Sequence, residues 1–146
     1  MSHDTIFAAA PVPPPLALPY PLILGRAGLA GFPSPAQDYE GRLLDLNEHL
    51  VKRPAATFFI KVTGDSMEGF GIHDDDLLVV DRSIEPRPGH ILVAMLEGEL
   101  TVKRYAIIDT HPFLCSGNPR YAPIPLVQHE CQVWGVVRSV IHEYPV

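Results

Sequence analysis

The sequence has few of the residues that stabilise small secreted proteins covalently. Its only cysteines are Cys115 and Cys131, too few for a disulfide framework and typical of a reducing compartment. We expect both to be small buried apolar side chains. The fold must therefore rest on a hydrophobic core, and 146 residues that are 47% hydrophobic suffice for one domain with an additional segment.

The sequence also lacks an excess of basic residues. It contains 11 Lys and Arg against 17 Asp and Glu, which gives a net charge of −6 with histidine neutral. A protein that holds DNA through its own phosphate contacts is usually basic. We therefore expect no tight direct DNA binding and favour proteins or peptides as partners.

No apolar run is long enough for a membrane helix, which needs ~18 residues. The stretch 6–24 is apolar, but six prolines interrupt it: Pro11, Pro13, Pro14, Pro15, Pro19 and Pro21. It also lacks the basic start of a secretory signal, since His3 and Asp4 precede it. The sequence predicts no contact with a membrane and a cytoplasmic location.

Metal-binding motifs are missing as well. The seven histidines are scattered, and none has the spacing of a zinc ligand pair or of a catalytic triad. The acidic run 74–76 lacks the loop and the bidentate glutamate of a calcium-binding EF-hand. We interpret that run as a solvated turn and expect no metal and no cofactor.

The prolines divide the chain into two regions. Residues 1–35 are predicted to be an extended arm, because proline fixes φ and removes a backbone donor, which excludes a helix or a central strand. Residues 36–146 are predicted to be the folded domain. It begins with a short helix or turn near 45–50, expected to bury Leu43, Leu44, Leu46 and Leu50, and ended by Pro54.

Beyond Ala56 the pattern indicates β-structure. Short apolar runs are separated by turn residues about every ten positions, which is typical of a small mostly-β barrel or sandwich. Glu97-Gly98 is predicted to be a hairpin turn. The predicted strands are 57–62, 77–80, 91–96, 99–105, 113–115 and 132–141.

Two polar residues stand out within this β region. Ser66 follows a strand in a Gly-Asp turn, where a hydroxyl could lie beside free backbone N–H groups. Lys103 lies inside the strand 99–105, and burial there could lower its pKa enough for it to act as a base. Taken singly, each also fits an ordinary role, as a turn serine and an exposed strand lysine.

Ser66 and Lys103 belong to a set of motifs that follow one another along the chain. The motifs are Gly64-Asp65-Ser66-Met67, Gly71-Ile72, Asp76-Leu77-Leu78-Val79-Val80-Asp81 and Glu99-Leu100-Thr101-Val102-Lys103-Arg104. In this order they resemble the catalytic domain shared by LexA repressors, UmuD-like proteins and phage repressors, over roughly residues 57–141. Asp75 departs from the family pattern, which usually has glycine there.

Upstream residues favour the UmuD-like branch. The cleavage region of that branch is similar to Ala30-Gly31-Phe32-Pro33-Ser34-Pro35. The residues Asp45-Leu46-Asn47 also resemble that branch. The resemblance implies a LexA-type peptidase fold with an extended N-terminal arm. It implies a Ser66 nucleophile, a Lys103 base, and an oxyanion hole made by the backbone N–H groups of Asp65, Ser66 and Met67. The scissile bond would join Ala30 to Gly31.

The resemblance also implies a biological setting, the SOS response to DNA damage. Self-cleavage would be stimulated by a RecA–single-stranded DNA filament, and the product would be a homodimer serving a UmuC-like, error-prone Y-family polymerase in translesion synthesis. We expect the final strand 132–141, interpreted as an edge strand, to form the dimer contact.

Three other functions use the same residues differently. The chain could be an accessory protein that is never cut, although an intact Ser66 and Lys103 argue against this. A signal-peptidase-type enzyme would need a membrane anchor. A LexA-like repressor would need a helix-turn-helix domain, for which the proline-rich region before Phe58 offers no pattern.

Overall fold

The computed structural model describes residues 5–8, 17–19 and 43–146. The chain divides into two compact units, one containing Met1–Pro11 and Arg53–Val146 and the other Val12–Lys52. The Ala30–Gly31 bond and most of the proline-rich arm lie outside the described residues.

The larger unit is built around an antiparallel sheet, as its alternating and short apolar runs predict. Its eight described strands are β1 Thr5–Ala8, β4 Thr57–Lys61, β5 Leu77–Asp81, β6 Ile91–Leu96, β7 Glu99–Ile108, β8 His111–Cys115, β9 Ile124–Pro125 and β10 Cys131–Ile141. They lie side by side in the order β1-β4-β5-β10-β6-β7-β8-β9, and the sheet does not close. Short 3₁₀ turns lie at Pro54–Ala56, Glu68–Phe70 and Leu126–Gln128.

The predicted mostly-β fold is thus confirmed. Each predicted strand appears with bounds shifted by at most a few residues. Glu97 and Gly98 both have positive φ, 49° and 77°, as a tight two-residue hairpin requires. The strand β1 lies in the predicted arm but at an edge of the described sheet, before the prolines begin.

The last strand, β10, was predicted to be an edge strand, and this is wrong. It lies between β5 and β6, pairing with β6 through Cys131–Val136 and with β5 through Val136–Ile141. Gly135 lies where the pairing of β10 changes from β6 to β5, and β5 leaves no room there for a side chain. A Cβ at this position would lie 2.7 Å from Val80 Cγ1 and 3.1 Å from the Asp81 carbonyl oxygen.

The core lies along the centre of the sheet. Its largest cluster includes Ile60, Leu78, Val80 and Val93, all fully buried, and a second cluster is formed by Leu92, Leu114 and Val136. Leu92 is the register partner of Lys103 in the hairpin of β6 and β7. The strand that carries Lys103 is therefore fixed by core packing.

A charged group is also buried in this unit. Asp81 has no exposed surface, and Ser83 donates both its backbone N–H and its hydroxyl to Asp81 Oδ1, at 2.8 and 2.6 Å. Arg53 lies 3.0 Å from Asp81 Oδ2. Burial by itself raises the pKa of Asp81, but the Ser83 hydrogen bonds and the Arg53 charge outweigh it and hold that pKa below its usual value of 3.8.

The smaller unit pairs the strand β2 (Ala17–Pro19) with β3 (Leu43–Asp45), and the helix α1 (Leu46–Leu50) follows directly. Asp45 caps the helix by accepting from the Asn47 N–H at 3.0 Å. The prediction that the leucines here point inward is wrong for Leu43 and Leu46, which are 66% and 43% exposed. The strand-to-helix change at Asp45 alters the side-chain period, so no single apolar face runs through the segment.

Candidate active site

The site begins with the turn that follows β4. Gly64 has a φ of 96°, in the left-handed region that favours glycine, and its N–H donates to Asp74 Oδ1 at 2.8 Å. The preceding Val62 exchanges backbone hydrogen bonds with Asp75 and Asp76, at 2.8 and 2.9 Å. The acidic run therefore holds the segment that leads to Ser66.

The acidic run was predicted to be a solvated turn, and for Asp76 this is wrong. Asp76 is 1% exposed, and its carboxylate accepts from the His73 N–H at 2.8 Å and contacts His142 Nδ1. Asp74 and Asp75 are exposed. A buried carboxylate needs such partners because an unpaired one would lose its hydration without compensation.

Ser66 and Lys103 come together although 37 residues separate them. Lys103 Nζ donates to Ser66 Oγ at 3.2 Å and to the Val102 carbonyl oxygen at 3.2 Å. Burial lowers the pKa of Lys103 below its usual value of 10.5. Among the described residues, no carboxylate forms an ion pair with Lys103 to oppose that effect. The pair is thus a hydroxyl facing an amine that loses its proton more readily than a free lysine.

Both side chains line a groove with a volume of about 540 Å³. One wall comes from residues 62–67 and Ile72, a second from the β6–β7 hairpin, and Tyr121 and Ile124 complete it. The groove is mixed in character: Met67 and Ile72 are buried and apolar, whereas Asp65 and Glu99 are acidic. Its size suits a short stretch of peptide.

The predicted oxyanion donors Asp65, Ser66 and Met67 all line this groove. Within the part of the chain that the structure describes, their backbone N–H groups have no hydrogen-bond acceptor. Free N–H groups beside a hydroxyl can stabilise negative charge that develops on a substrate oxygen.

Sequence reasoning missed a loop that contacts residues 64–70, which we call the serine turn. We call residues 117–121 the bracket loop. Gly117 donates its N–H to the Ser66 carbonyl oxygen at 2.6 Å and accepts from the Gly69 N–H at 2.6 Å. Neither Gly69 nor Gly117 leaves room for a side chain. A Cβ on Gly69 would lie 2.3 Å from the Gly117 carbonyl oxygen. The run Ser116-Gly117-Asn118-Pro119 marks a turn, but its target more than 50 residues away has no sequence signal.

The bracket loop also holds Asp65. Asn118 Nδ2 donates to the Asp65 carbonyl oxygen at 3.3 Å, Arg120 Nη1 lies 3.2 Å from Asp65 Oδ2, and the Tyr121 hydroxyl donates to Asp65 Oδ1 at 2.9 Å. The guanidinium of Arg104 in β7 lies 5.2 Å from the centre of the Phe70 ring. The serine turn is therefore tied both to the bracket loop and to the strand of Lys103.

The two cysteines do not line the groove. Cys115 and Cys131 are free and partly buried, and burial raises the pKa of the Cys131 thiol. In the described ranges, no helix combines the length and the apolar character that crossing a bilayer requires.

Comparison with known proteins gives a consistent result. Residues 21–138 match the family described as Peptidase S24-like. The chain is 43% identical over 138 residues to Protein SamA of Salmonella typhimurium, covering 94% of this chain and 96% of SamA. It is 44% identical over 120 residues to Protein MucA of Escherichia coli, covering 80% and 81%. It is 39% identical over 103 residues to the LexA repressor of Shewanella denitrificans, covering 70% of this chain and 49% of the repressor.

Proposed function

Because the chain belongs to the Peptidase S24-like family of serine peptidases, and within it to the UmuD-like SOS mutagenesis proteins, we propose that it cleaves its own chain with a serine–lysine dyad. The observation that carries this proposal is the 3.2 Å contact between Lys103 Nζ and Ser66 Oγ in a groove where burial lowers the pKa of the lysine. An amine so placed can accept the serine proton at moderately alkaline pH.

The reaction follows from these roles. Neutral Lys103 takes the proton of Ser66 as the serine oxygen attacks the carbonyl carbon of residue 30. The N–H groups of Asp65, Ser66 and Met67 stabilise the oxyanion. Lys103 then gives the proton to the departing amine of residue 31, which leaves an ester on Ser66. A water molecule, deprotonated by Lys103, attacks the carbonyl carbon of that ester. The bond to the Ser66 oxygen then breaks, Lys103 returns the proton to that oxygen, and the new carboxyl terminus is released.

The proposed scissile bond joins Ala30 to Gly31. The support is chemical: small residues on both sides let the backbone approach a nucleophile closely, which bulky side chains would prevent. The likeness of residues 30–35 to the cleavage region of UmuD-like proteins supports it as well. Cleavage there would remove 30 of the 146 residues.

The proposed setting is regulated cleavage after DNA damage. A RecA–single-stranded DNA filament would favour the cleavable conformation, and the shortened product would act as an accessory subunit of a UmuC-like, Y-family translesion polymerase. The similarity to SamA and MucA supports this assignment. The net charge of −6 supports a role exerted through protein partners rather than through tight DNA binding by the chain itself.

We also propose that the protein is a homodimer. The interior position of β10 removes the argument from a bare edge strand, so the proposal rests on the family. Light scattering at micromolar concentration should give twice the mass of one chain, and a monomer mass would contradict it.

Intact mass measurement tests the cleavage itself. Incubation of the purified protein at alkaline pH should yield two fragments, one of 30 residues and one of 116 residues that begins at Gly31. Ser66→Ala and Lys103→Ala should each abolish the reaction, because the two groups act as a unit. Lys61→Ala is the matched control, since Lys61 is exposed and paired with Asp75 at 3.2 Å, and it should cleave normally. A stable wild-type mass would favour the accessory protein that is never cut.

A further inference from the structure

The carboxylate of Asp65 adjoins the proposed nucleophile but has no part in the chemistry described above. Its two oxygens are both engaged by the bracket loop, Oδ1 by the Tyr121 hydroxyl at 2.9 Å and Oδ2 by Arg120 at 3.2 Å. Its carbonyl oxygen accepts from Asn118. Three contacts from one loop to one residue restrain both the side chain and the backbone at that position.

The restraint extends to the next residue. The Ser66 carbonyl oxygen accepts from Gly117, whose own carbonyl accepts from Gly69, both at 2.6 Å. The peptide groups before and after Ser66 are therefore held by the same loop. Neither Asp65 nor Tyr121 reaches the Lys103 amine, so any effect on the reaction passes through the serine turn.

We propose that Asp65 is a positioning residue for self-cleavage: clasped by Tyr121 and Arg120, it fixes the serine turn so that the Ser66 hydroxyl meets Lys103. This inference rests on the proposed serine–lysine mechanism. One partner of the dyad lies in the strand β7 and the other in a partly exposed turn, and such a turn needs restraint because small misplacements of reacting groups are costly.

We call the contacts of Asp65 with Tyr121 and Arg120 the clasp, and they should make the cleavage rate depend on pH. A contact that only stabilised the fold would not have this effect. The hydrogen bond to Asp65 and its charge raise the pKa of Tyr121, Glu68 adds to this, and Arg120 opposes it. Burial meanwhile lowers the pKa of Lys103 across the groove. The two pKa shifts have opposite signs, and both favour a neutral Lys103 together with a protonated Tyr121 in the alkaline range. At higher pH, a tyrosinate would repel Asp65 and open the clasp.

The experiment measures first-order self-cleavage rates across the alkaline range while circular dichroism monitors folding. The wild type should give a rate that rises with pH and then falls. Tyr121→Phe should lower the maximum about tenfold, less than the ~100-fold cost of a 1 Å misplacement, and should remove the falling limb. Asp65→Asn should lower the maximum similarly and move the falling limb to lower pH. Arg120→Lys, which keeps the charge, should recover most of the rate that Arg120→Ala loses.

Matched controls are Tyr144→Phe and Asp109→Asn. Tyr144 is 77% exposed, and neither its hydroxyl nor the Asp109 carboxylate has a hydrogen-bond partner among the described residues. Both controls should keep the wild-type profile. Rates within twofold of wild type for Asp65→Asn and Tyr121→Phe, with an unchanged falling limb, would overturn the inference and leave the proposed dyad intact.

A second readout does not depend on cleavage. In the inactive Ser66→Ala background, the amide proton of Gly117 should exchange with solvent faster once Asp65→Asn is added, because the bracket loop loses contacts. Unchanged exchange would also overturn the inference. A wild-type chain that never cleaves would overturn the proposed function and, with it, any positioning role.

Discussion

The rate of self-cleavage should follow the protonation of Lys103, and pH is the perturbation that tests this most directly. Only the neutral amine can accept the proton of Ser66, which lies 3.2 Å away. Since burial lowers the pKa of Lys103 below 10.5, the rate should begin to level off at a lower pH than an exposed lysine would allow. This rise in rate comes first, and the fall in rate that we attribute to ionisation of Tyr121 follows at higher pH.

The expected change in cleavage rate follows from the fraction of Lys103 that is neutral. Below the pKa of Lys103, each pH unit should raise the rate about tenfold, because the neutral fraction grows by that factor. By the same relation, each unit by which burial lowers the pKa increases the rate near neutrality about tenfold. Burial of the lysine is therefore expected to raise the cleavage rate at physiological pH above that of an exposed lysine.

The assay is a time course of intact mass in buffers of constant ionic strength from about pH 6 to about pH 11, a range that spans the ordinary histidine and lysine pKa values. Lys61→Ala should reproduce the wild-type profile. A rate that is flat between about pH 6 and about pH 10, or that levels off near the ~6.5 of histidine, would refute the assignment of Lys103 as the base.

Two further predictions concern stability. Asp81→Asn should lower the free energy of unfolding by about 1–3 kcal/mol at neutral pH. Because the pKa of Asp81 is depressed in the folded state, its contribution is present above the unfolded-state pKa of ~3.9 and fades as pH falls through the folded-state pKa. Urea unfolding curves of variant and wild type should therefore converge in acid, and a constant gap would contradict this. Gly69→Ala and Gly135→Ala should each cost about 1–3 kcal/mol by overpacking, against Gly117 and Val80 respectively. Only Gly69→Ala should also slow cleavage by the folded protein, since only it displaces the loop that holds the serine turn; equal rates would contradict that coupling.

Much of the fold could be predicted because the local signals agree with the tertiary structure. The β6–β7 hairpin is specified by two apolar runs and by Glu97-Gly98, which adopts the positive φ angles that such a turn needs. The position of β10 was mispredicted because length and apolarity describe an interior strand as well as an edge strand. The better signal was Gly135, a glycine inside a strand where another backbone approaches closely.

The site was predictable only in part, and for a physical reason. The pattern marked Ser66 and Lys103 separately, but their pairing across 37 residues came from the family resemblance. The bracket loop reaches Asp65 across 53 to 56 residues. Such contacts depend on how the strands are ordered in the sheet, and no local propensity records that order. The burial of Asp76 was missed for the same reason, since His142 lies 66 residues away.

The strand β1 gives the proposed cut a second effect. Residues Thr5–Ala8 pair with Phe58–Lys61 along an outer edge of the sheet. While β1 belongs to the same chain, its local concentration at that edge is of the order of millimolar, as for tethered segments in general. A cut after Ala30 would make it a separate peptide, whose rebinding depends on its bulk concentration. Dilution would then strip β1 from β4 and leave unpaired N–H and C=O groups for another strand.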